Sequence, residues 1–154
     1  MIALDTNILA RYYVDEANAS RATQAQREAA RRVIEGGGEL FVAKTVLLEL
    51  EWVLRGAYRL GRKEVLRAFE HLLALRAIHV EDRAAAESAL ANLRSGLDFA
   101  DALHHESGRA CTEFLPFDKR RFPARAPSLP ITPPMRVPHE VGTAPRSITR
   151  SARP

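Results

Sequence analysis

Four acidic side chains occupy positions in the sequence where carboxylates could carry out metal-ion chemistry. Asp5 ends an apolar run in LDTNIL, Glu49 lies in LLELEWVL, Asp101 in LDFADALHH, and Asp118 in FLPFDKRRF. An all-oxygen donor set without cysteine suits a hard divalent cation such as Mg²⁺ or Mn²⁺. The residue types therefore indicate metal-dependent chemistry if the four side chains converge in the fold.

Each of these acids also has a purely structural interpretation. Asp5 could be the N-cap of a helix that starts just after it. Asp98 and Asp101 lie three residues apart, as the N-cap and third residue of one helix, where acids accept hydrogen bonds from backbone donors. Asp118 could be an ordinary turn residue. For each residue taken alone, the structural interpretation stays open.

Glu49 and its neighbour Glu51 make an internal comparison. Glu51 has Arg55 four residues later, the favourable order for a helical ion pair, which indicates a solvated surface contact. Glu49 has apolar neighbours at helical spacing and no cation among them, which is costly for a buried carboxylate. Either this helical face reaches solvent at the sheet edge, or Glu49 faces a bound cation or another partner, and we favour the cation. Glu51→Gln should then be nearly silent compared with Glu49→Gln.

Short apolar runs alternate with helical patterns along the chain, which predicts an α/β fold. The predicted strands are Ile2–Leu4, Leu40–Val42, Ile78–Val80 and Cys111–Leu115. The predicted helices are Ile8–Tyr13, Ala22–Glu35, Val46–Tyr58, Lys63–Leu75, Arg83–Leu93 and Phe99–Ser107. Strands joined by helices favour a parallel sheet covered on both faces. Ligands bind beyond the carboxyl ends of such strands, near the point where the strand order reverses, so we expect the four acids to meet there.

The composition changes after Phe122, where prolines become frequent. We predict one domain over residues 1–127 and a Pro/Arg-rich tail over residues 128–154, disordered from about Pro133 onward. Leu129–Ile131 is a candidate for a short edge strand. Residues 123–154 hold five arginines against one glutamate, which accounts for the whole net charge of +4. Any attraction of the domain to phosphate must therefore come from local patches.

The cysteine content and the hydropathy indicate a cytoplasmic protein. Cys111 is the single cysteine, so no internal disulfide can form, and this suits a reducing compartment. We expect Cys111 to be inert in the core, within the fourth predicted strand. No apolar stretch is long enough to span a membrane, so no membrane partner is expected.

The four acidic motifs, in this order, resemble those of PIN-domain ribonucleases, and more narrowly the VapC-type toxins of type II toxin–antitoxin systems. The resemblance covers residues 1–125 and implies a three-layer α/β/α sandwich with a short parallel sheet of four to five strands. It also implies that Asp5, Glu49, Asp101 and Asp118 are the catalytic, metal-binding acids of an Mg²⁺-dependent endoribonuclease, with Mn²⁺ as a substitute. Asn7 and Asp98 would be supporting residues.

Further properties follow from the same resemblance. The substrate would be RNA, with Lys119, Arg120 and Arg121 in contact with its phosphates, although a solvated turn is the alternative for Arg121. Such proteins usually form homodimers and are inhibited by a cognate antitoxin that covers the acidic groove. An arginine of the antitoxin could take the place of the cation among the carboxylates.

One departure from the family pattern supports a different reading. Pro116 stands where many relatives have Thr or Ser near the metals, which favours, as the alternative, a catalytically weak or inactive PIN-fold module that acts through a protein partner.

A haloacid-dehalogenase-like phosphatase also begins its site with an aspartate after the first strand. That chemistry needs a second aspartate two residues later, where this chain has Asn7, and asparagine cannot act as a general acid or base.

Overall fold

The computed structural model of the chain describes residues 1–116 and 132–136. The chain groups into two compact units, Met1–Ser107 and Gly108–Pro154. The first unit contains three strands, six α-helices and one π-helical turn. In chain order these are β1 (Ile2–Ala3), α1 (Thr6–Tyr13), α2 (Arg21–Glu35), β2 (Leu40–Val42), α3 (Lys44–Trp52), the π-helical turn (Val53–Ala57), α4 (Arg62–Ala74), β3 (Ile78–Val80), α5 (Arg83–Arg94) and α6 (Phe99–Ser107).

The three strands form one parallel sheet in the order β1-β2-β3. Leu40 at the start of β2 lies opposite Ile2 of β1 and Ile78 of β3. Parallel neighbours need long crossover connections, and helices provide both of them here. The carboxyl ends of all three strands consequently lie along one edge of the sheet. The strand order does not reverse within the described residues. The expected site is therefore assigned to the carboxyl edge of the sheet, without a reversal point to locate it along that edge.

The sheet buries mainly one of its faces. Leu40, Val42 and Ile78 are buried on that face, whereas Ala3 and His79 on the opposite face are exposed. In β2 and β3 the alternation follows from the period-two geometry of a strand. The described residues therefore do not show the second covering layer that the three-layer sandwich requires.

The helices form one hydrophobic core with the buried face of the sheet. Three alanines of α5, Ala85, Ala86 and Ala89, are fully buried, and α5 packs against α6. Small side chains at these positions allow the two helices to approach closely at normal packing density. Phe69 of α4 and Phe99 of α6 make an edge-to-face contact with ring centroids 4.7 Å apart. α6, which carries one of the predicted site residues, is thus fixed from two sides.

Most predicted elements agree with the structure, and the fourth strand does not. The second and third strands and the sixth helix have the predicted bounds. The predicted strand Cys111–Leu115 is wrong, because Phe114 alone forms an isolated bridge. Cys111 is exposed and so does not lie in the core. Three strands are observed in the described residues, and the expected four to five are not confirmed.

The described part of the second unit is small. Phe114 pairs with Met135 in a single parallel bridge, in which the Phe114 amide donates to the Pro134 carbonyl at 3.1 Å. Arg136 also forms an ion pair with Glu113 at 2.7 Å. The predicted disorder of the tail stays a prediction. Leu129–Ile131 and the rest of the predicted tail lie outside the described residues, and the boundary at residue 127 stays a prediction.

None of the helices among the described residues combines the length and the apolar character needed to cross a membrane.

Candidate functional site

Asp5 lies just beyond the carboxyl end of β1, at the N-cap position of α1. Its side chain makes no capping hydrogen bond, although its backbone carbonyl accepts the first helical bond from Ile8 at 3.1 Å. The carboxylate is exposed and accepts a hydrogen bond at 3.1 Å from the side-chain amide of Asn7. The Asp5 side chain therefore does not act as a cap, and its carboxylate is held by Asn7, whose supporting role stays a prediction.

Glu49 is linked through Thr6 to the carboxyl end of β1, where Asp5 lies. The Thr6 hydroxyl donates to Glu49 Oε2 at 2.6 Å, and Thr6 itself is buried. Glu49 is exposed, so the helical face that carries it reaches solvent, which was one of the two alternatives open from the sequence. Because Thr6 directly follows Asp5, this bond holds Glu49 of α3 near the end of β1.

Asp98 and Asp101 lie at the start of α6. Asp98 accepts hydrogen bonds from the amides of Ala100 at 3.1 Å and Asp101 at 3.4 Å, so it caps this helix. Asp101 is half-buried in the first turn. α3 packs against both α1 and α6. The helix that carries Glu49 is thus adjacent to the helix that carries Asp101 and to the one that begins after Asp5.

Glu51 is the clearest correction to the sequence interpretation. It was expected to be solvated, but it is only 6% exposed, on the same face of α3 as the buried Leu47 and Leu50. Arg55 compensates its charge with a hydrogen bond at 3.0 Å. The same Arg55 nitrogen lies 3.5 Å from Asp98 Oδ2. The cationic partner of Asp98 at the start of α6 is therefore a side chain of the protein itself.

The structure brings together some of the predicted residues. Asp5 and Glu49 are joined through Thr6, and Asp101 lies on a neighbouring helix. In residues 1–116 and 132–136, no group of three His, Cys, Asp or Glu side chains is arranged to hold a metal ion. The remaining predicted residues, Asp118, Lys119, Arg120 and Arg121, lie outside the described residues.

The donor chemistry of the described acids is compatible with Mg²⁺. This ion keeps several of its waters and usually takes one or two protein carboxylates together with substrate phosphates. Asp5 offers an exposed carboxylate whose orientation is set by Asn7, and Glu49 offers one that is set by Thr6. Two oriented carboxylates with neutral hydrogen-bond donors behind them can therefore serve as ligands, either directly or through water.

Two residues of this region were missed from the sequence. Thr6 carries no sequence signal of this contact, because no local pattern connects it with a glutamate 43 positions away. Arg55 was read as the partner of a surface ion pair. For Arg55 a signal did exist, because Leu47, Leu50 and Leu54 surround Glu51 at helical spacing and mark its face as buried.

A short parallel α/β domain with oriented carboxylates at the carboxyl edge of its sheet defines the class of this protein. Residues 2–109 match the PIN domain family, and the chain belongs to that family. PIN domains are generally a nuclease fold. No curated protein matches the chain.

Proposed function

We propose that this protein is an Mg²⁺-dependent endoribonuclease of the cytoplasm, and the toxin of a type II, VapBC-type toxin–antitoxin pair. The observation that carries the proposal is the oriented pair of acids, with Asp5 held by Asn7 and Glu49 held by Thr6, in a member of the PIN domain family. Each of these exposed carboxylates receives one neutral hydrogen-bond donor and, within the described residues, no cationic partner, which suits it to a divalent ion.

In this proposal Asp5 and Asp101 hold the metal ion, and Glu49 and Asp118 complete the cluster directly or through water. Bound Mg²⁺, or Mn²⁺ in its place, supplies charge neutralisation at the attacked phosphate and makes water more acidic. Glu49 or Asp118 orients the attacking water or accepts its proton. Asn7 and Thr6 keep the carboxylates in place, so that they need not reorganise during the reaction.

Asp98 has a supporting role that differs from metal binding. One of its oxygens accepts the two amide hydrogen bonds at the start of α6, and the other lies near Arg55. Both oxygens are thus engaged by donors of the chain. Asp98 therefore acts on the site by fixing the first turn of α6, in which Asp101 lies.

The partners of the proposed enzyme follow from its charge. An acidic cluster repels RNA, so cationic side chains must hold the phosphates, and Lys119, Arg120 and Arg121 are assigned to that role from the sequence. An antitoxin would inhibit the enzyme by inserting an arginine among the carboxylates, since bidentate guanidinium–carboxylate pairs are strong. A homodimer is part of the same proposal.

The test is cleavage of a structured RNA by the purified protein with Mg²⁺, with Mn²⁺ and with EDTA. We expect cleavage with either ion and none with EDTA. Asp5→Asn and Asp101→Asn should each abolish cleavage. Without metal, both variants should melt at the same temperature as the native protein or higher, because the mutual repulsion of the acids falls. Mg²⁺ should raise the melting temperature of the native protein only, since a ligand that binds only the folded state stabilises it.

Glu39→Gln is the matched control, because Glu39 is an exposed acid at the amino end of β2, away from the carboxyl edge. It should cleave RNA like the native protein. Cleavage retained by both aspartate variants would exclude the mechanism. A native protein that neither cleaves RNA nor responds to Mg²⁺ would instead support a PIN-fold module that acts through a protein partner, the alternative that Pro116 favours.

A further inference from the structure

Trp52, the only tryptophan of the chain, is 70% exposed at the end of α3. It lies one helical turn after Glu49. Thr45, Glu49, Trp52 and Gly56 follow one another at spacings of four, three and four residues, and all four are exposed. They therefore form one solvent-facing strip, which we call the α3 strip, and the acid of the proposed site lies in its middle.

Nothing in the α3 strip covers the indole ring. Gly56 lies beside the ring, and a Cβ added to it would stand 3.9 Å from Trp52 Cε2, so the absence of a side chain there leaves the ring open on that side. The rest of the strip consists of Thr45 and Glu49, which are polar. Trp52 is thus a single apolar ring within a polar strip.

Leu48, one turn before Trp52, is half-buried against the core, so Trp52 is the one large hydrophobic side chain that α3 leaves mostly exposed, which argues against a protein partner as its occupant. The other large hydrophobic side chains that are exposed among the described residues are Met1, Ile2, Val33 and Leu115, and none lies on α3. Protein interfaces use contiguous apolar patches or a desolvated core of several side chains, and the α3 strip offers neither. A flat aromatic ring beside a proposed metal-binding carboxylate fits a nucleic acid better. A nucleic acid combines flat bases, which can stack on the ring, with phosphates, which can bind the metal ion.

We propose that Trp52 stacks on an unpaired base of the RNA substrate, next to the phosphate that is cleaved. This inference rests on the proposed function and narrows its substrate class to single-stranded or looped RNA, whose bases are free to stack. The rise between Glu49 and Trp52 is about 4.5 Å along the helix axis, so a phosphate held at the acids leaves an adjacent base within reach of the ring. Stacking tolerates any base, so Trp52 selects unpaired structure over a particular sequence.

The single tryptophan provides a direct test, because its fluorescence reports on this one position. The Asp5→Asn protein, which by the proposed function does not cut RNA, is titrated in Mg²⁺ with an unstructured RNA decamer. A decamer of the same sugar-phosphate length without bases is titrated in parallel. We expect the base-containing decamer to quench the emission to saturation and the abasic decamer to leave it unchanged.

Affinities of variants in the same background are measured by the anisotropy of a labelled RNA decamer. Trp52→Ala should weaken binding roughly 5- to 150-fold, which corresponds to the loss of one base–aromatic stack. Trp52→Phe should retain most of the affinity, since it keeps an aromatic plane. Val33→Ala removes an exposed apolar side chain from α2 and is the matched control, with no expected change. In the cleavage assay, Trp52→Ala without the Asp5 change should raise KM more than it lowers kcat.

The possible results separate this inference from the proposed function. RNA that is bound and cleaved without any change in Trp52 emission would overturn the inference and leave the nuclease in place. Quenching by the base-containing decamer without cleavage by the native protein would support the stacking contact and overturn the enzyme. A Trp52→Ala protein that binds RNA normally but changes its mass in light scattering would overturn the inference and assign the ring to a contact between copies of the chain.

Discussion

The hydrogen bond between Thr6 and Glu49 is the contact on which the geometry of the proposed site depends most. It is short, at 2.6 Å, and its donor is buried, so the hydroxyl cannot rotate freely into water. A carboxylate on an exposed helical face would otherwise sample several rotamers. Thr6 therefore reduces the conformational freedom of Glu49 before any ligand binds, and this lowers the entropic cost of binding.

Thr6→Val tests this role, because valine keeps the shape of threonine and removes the hydroxyl. We expect cleavage activity to fall about tenfold and the stabilisation by Mg²⁺ to weaken, since Glu49 loses its fixed orientation. Urea unfolding and cleavage rates of Thr6→Val, Thr6→Ser and native protein measure the effect, and Thr6→Ser should be close to native. If Thr6→Val loses stability but keeps full activity, the hydroxyl only maintains the fold.

Replacing glutamate by glutamine should mainly lower stability at position 51 and mainly lower cleavage activity at position 49. Glu51→Gln removes the buried partner of Arg55 and should lower the free energy of unfolding by roughly 1 kcal/mol, a value kept low because Arg55 is 46% exposed. Glu49→Gln should change it by less than about 0.5 kcal/mol, because Glu49 is exposed. Cleavage should show the reverse order, with a large loss for Glu49→Gln and a small one for Glu51→Gln. Equal effects on cleavage would exclude a special role for Glu49.

The sequence predicted the two roles of these glutamates only in part. The acid expected to carry chemistry does lie beside the end of β1. The expectation that Glu51 is solvated failed because an i,i+4 partner was taken as a sign of exposure, although such a partner can equally neutralise a buried charge. The leucines at 47, 50 and 54 carried the burial signal. Thr6 could not be found from the sequence, because its partner comes close only through the packing of α1 against α3.

At the scale of elements, Arg55 connects the end of α3 with the beginning of α6. It lies in the π-helical turn, where the wider spacing displaces side chains from their α-helical positions. From there it contacts Glu51 of α3 and Asp98, which caps α6. The two helices that bear Glu49 and Asp101 are therefore held together by an ionic contact as well as by apolar packing.

A double-mutant cycle with Arg55→Met and Asp98→Asn measures this connection. Asparagine is a good N-cap, so the cycle removes the charge of Asp98 but keeps its capping function. We expect a coupling of roughly 0.5 kcal/mol in urea unfolding, since the two groups are 3.5 Å apart and partly exposed. Asp98→Ala should cost about 1 kcal/mol more than Asp98→Asn because the cap is lost. Additive free energies in the cycle would show that Arg55 does not stabilise the start of α6.

The elements themselves were largely predictable, with one instructive failure. Periodicity and punctuation located three strands and six helices, because most of these elements bury one face in a common core. The run from Cys111 to Leu115 has equally good strand composition, but only Phe114 finds a backbone partner there. Strand formation depends on a neighbour that the local sequence does not reveal. The π-helical turn was likewise read as a continuation of α3.

At the scale of the whole molecule, Tyr13 makes the stability sensitive to alkaline pH. Burial raises the pKa of Tyr13, the more so because Tyr12 lies beside it, and its hydroxyl is 3.0 Å from His71 Nδ1. Above the ordinary tyrosine pKa of about 10, the unfolded chain releases this proton while the folded chain retains it. The unfolded state then binds fewer protons, so the free energy of unfolding falls as the pH rises.

Tyr13→Phe should therefore flatten the alkaline dependence of stability. The native protein is expected to lose up to about 1.4 kcal/mol per pH unit through this group between pH 10 and 12, and the variant should lack that contribution. Urea unfolding of both proteins from pH 8 to pH 12 measures the slopes. The slopes are compared instead of the absolute stabilities, because the variant also loses its contact with His71. Identical slopes would mean that Tyr13 ionises equally easily in the folded and unfolded states.

The π-helical turn at Val53–Ala57 has a consequence for how the chain tolerates changes in length. Its bond from the Tyr58 amide to the Val53 carbonyl spans five residues, one more than an α-helical bond. Deleting one residue there would tighten the turn to ordinary α-helical spacing without interrupting the helix. Natural insertions and deletions among relatives should therefore be frequent in this turn. Between Asp5 and Glu49, by contrast, they should occur only in the loops that join α1, α2 and β2.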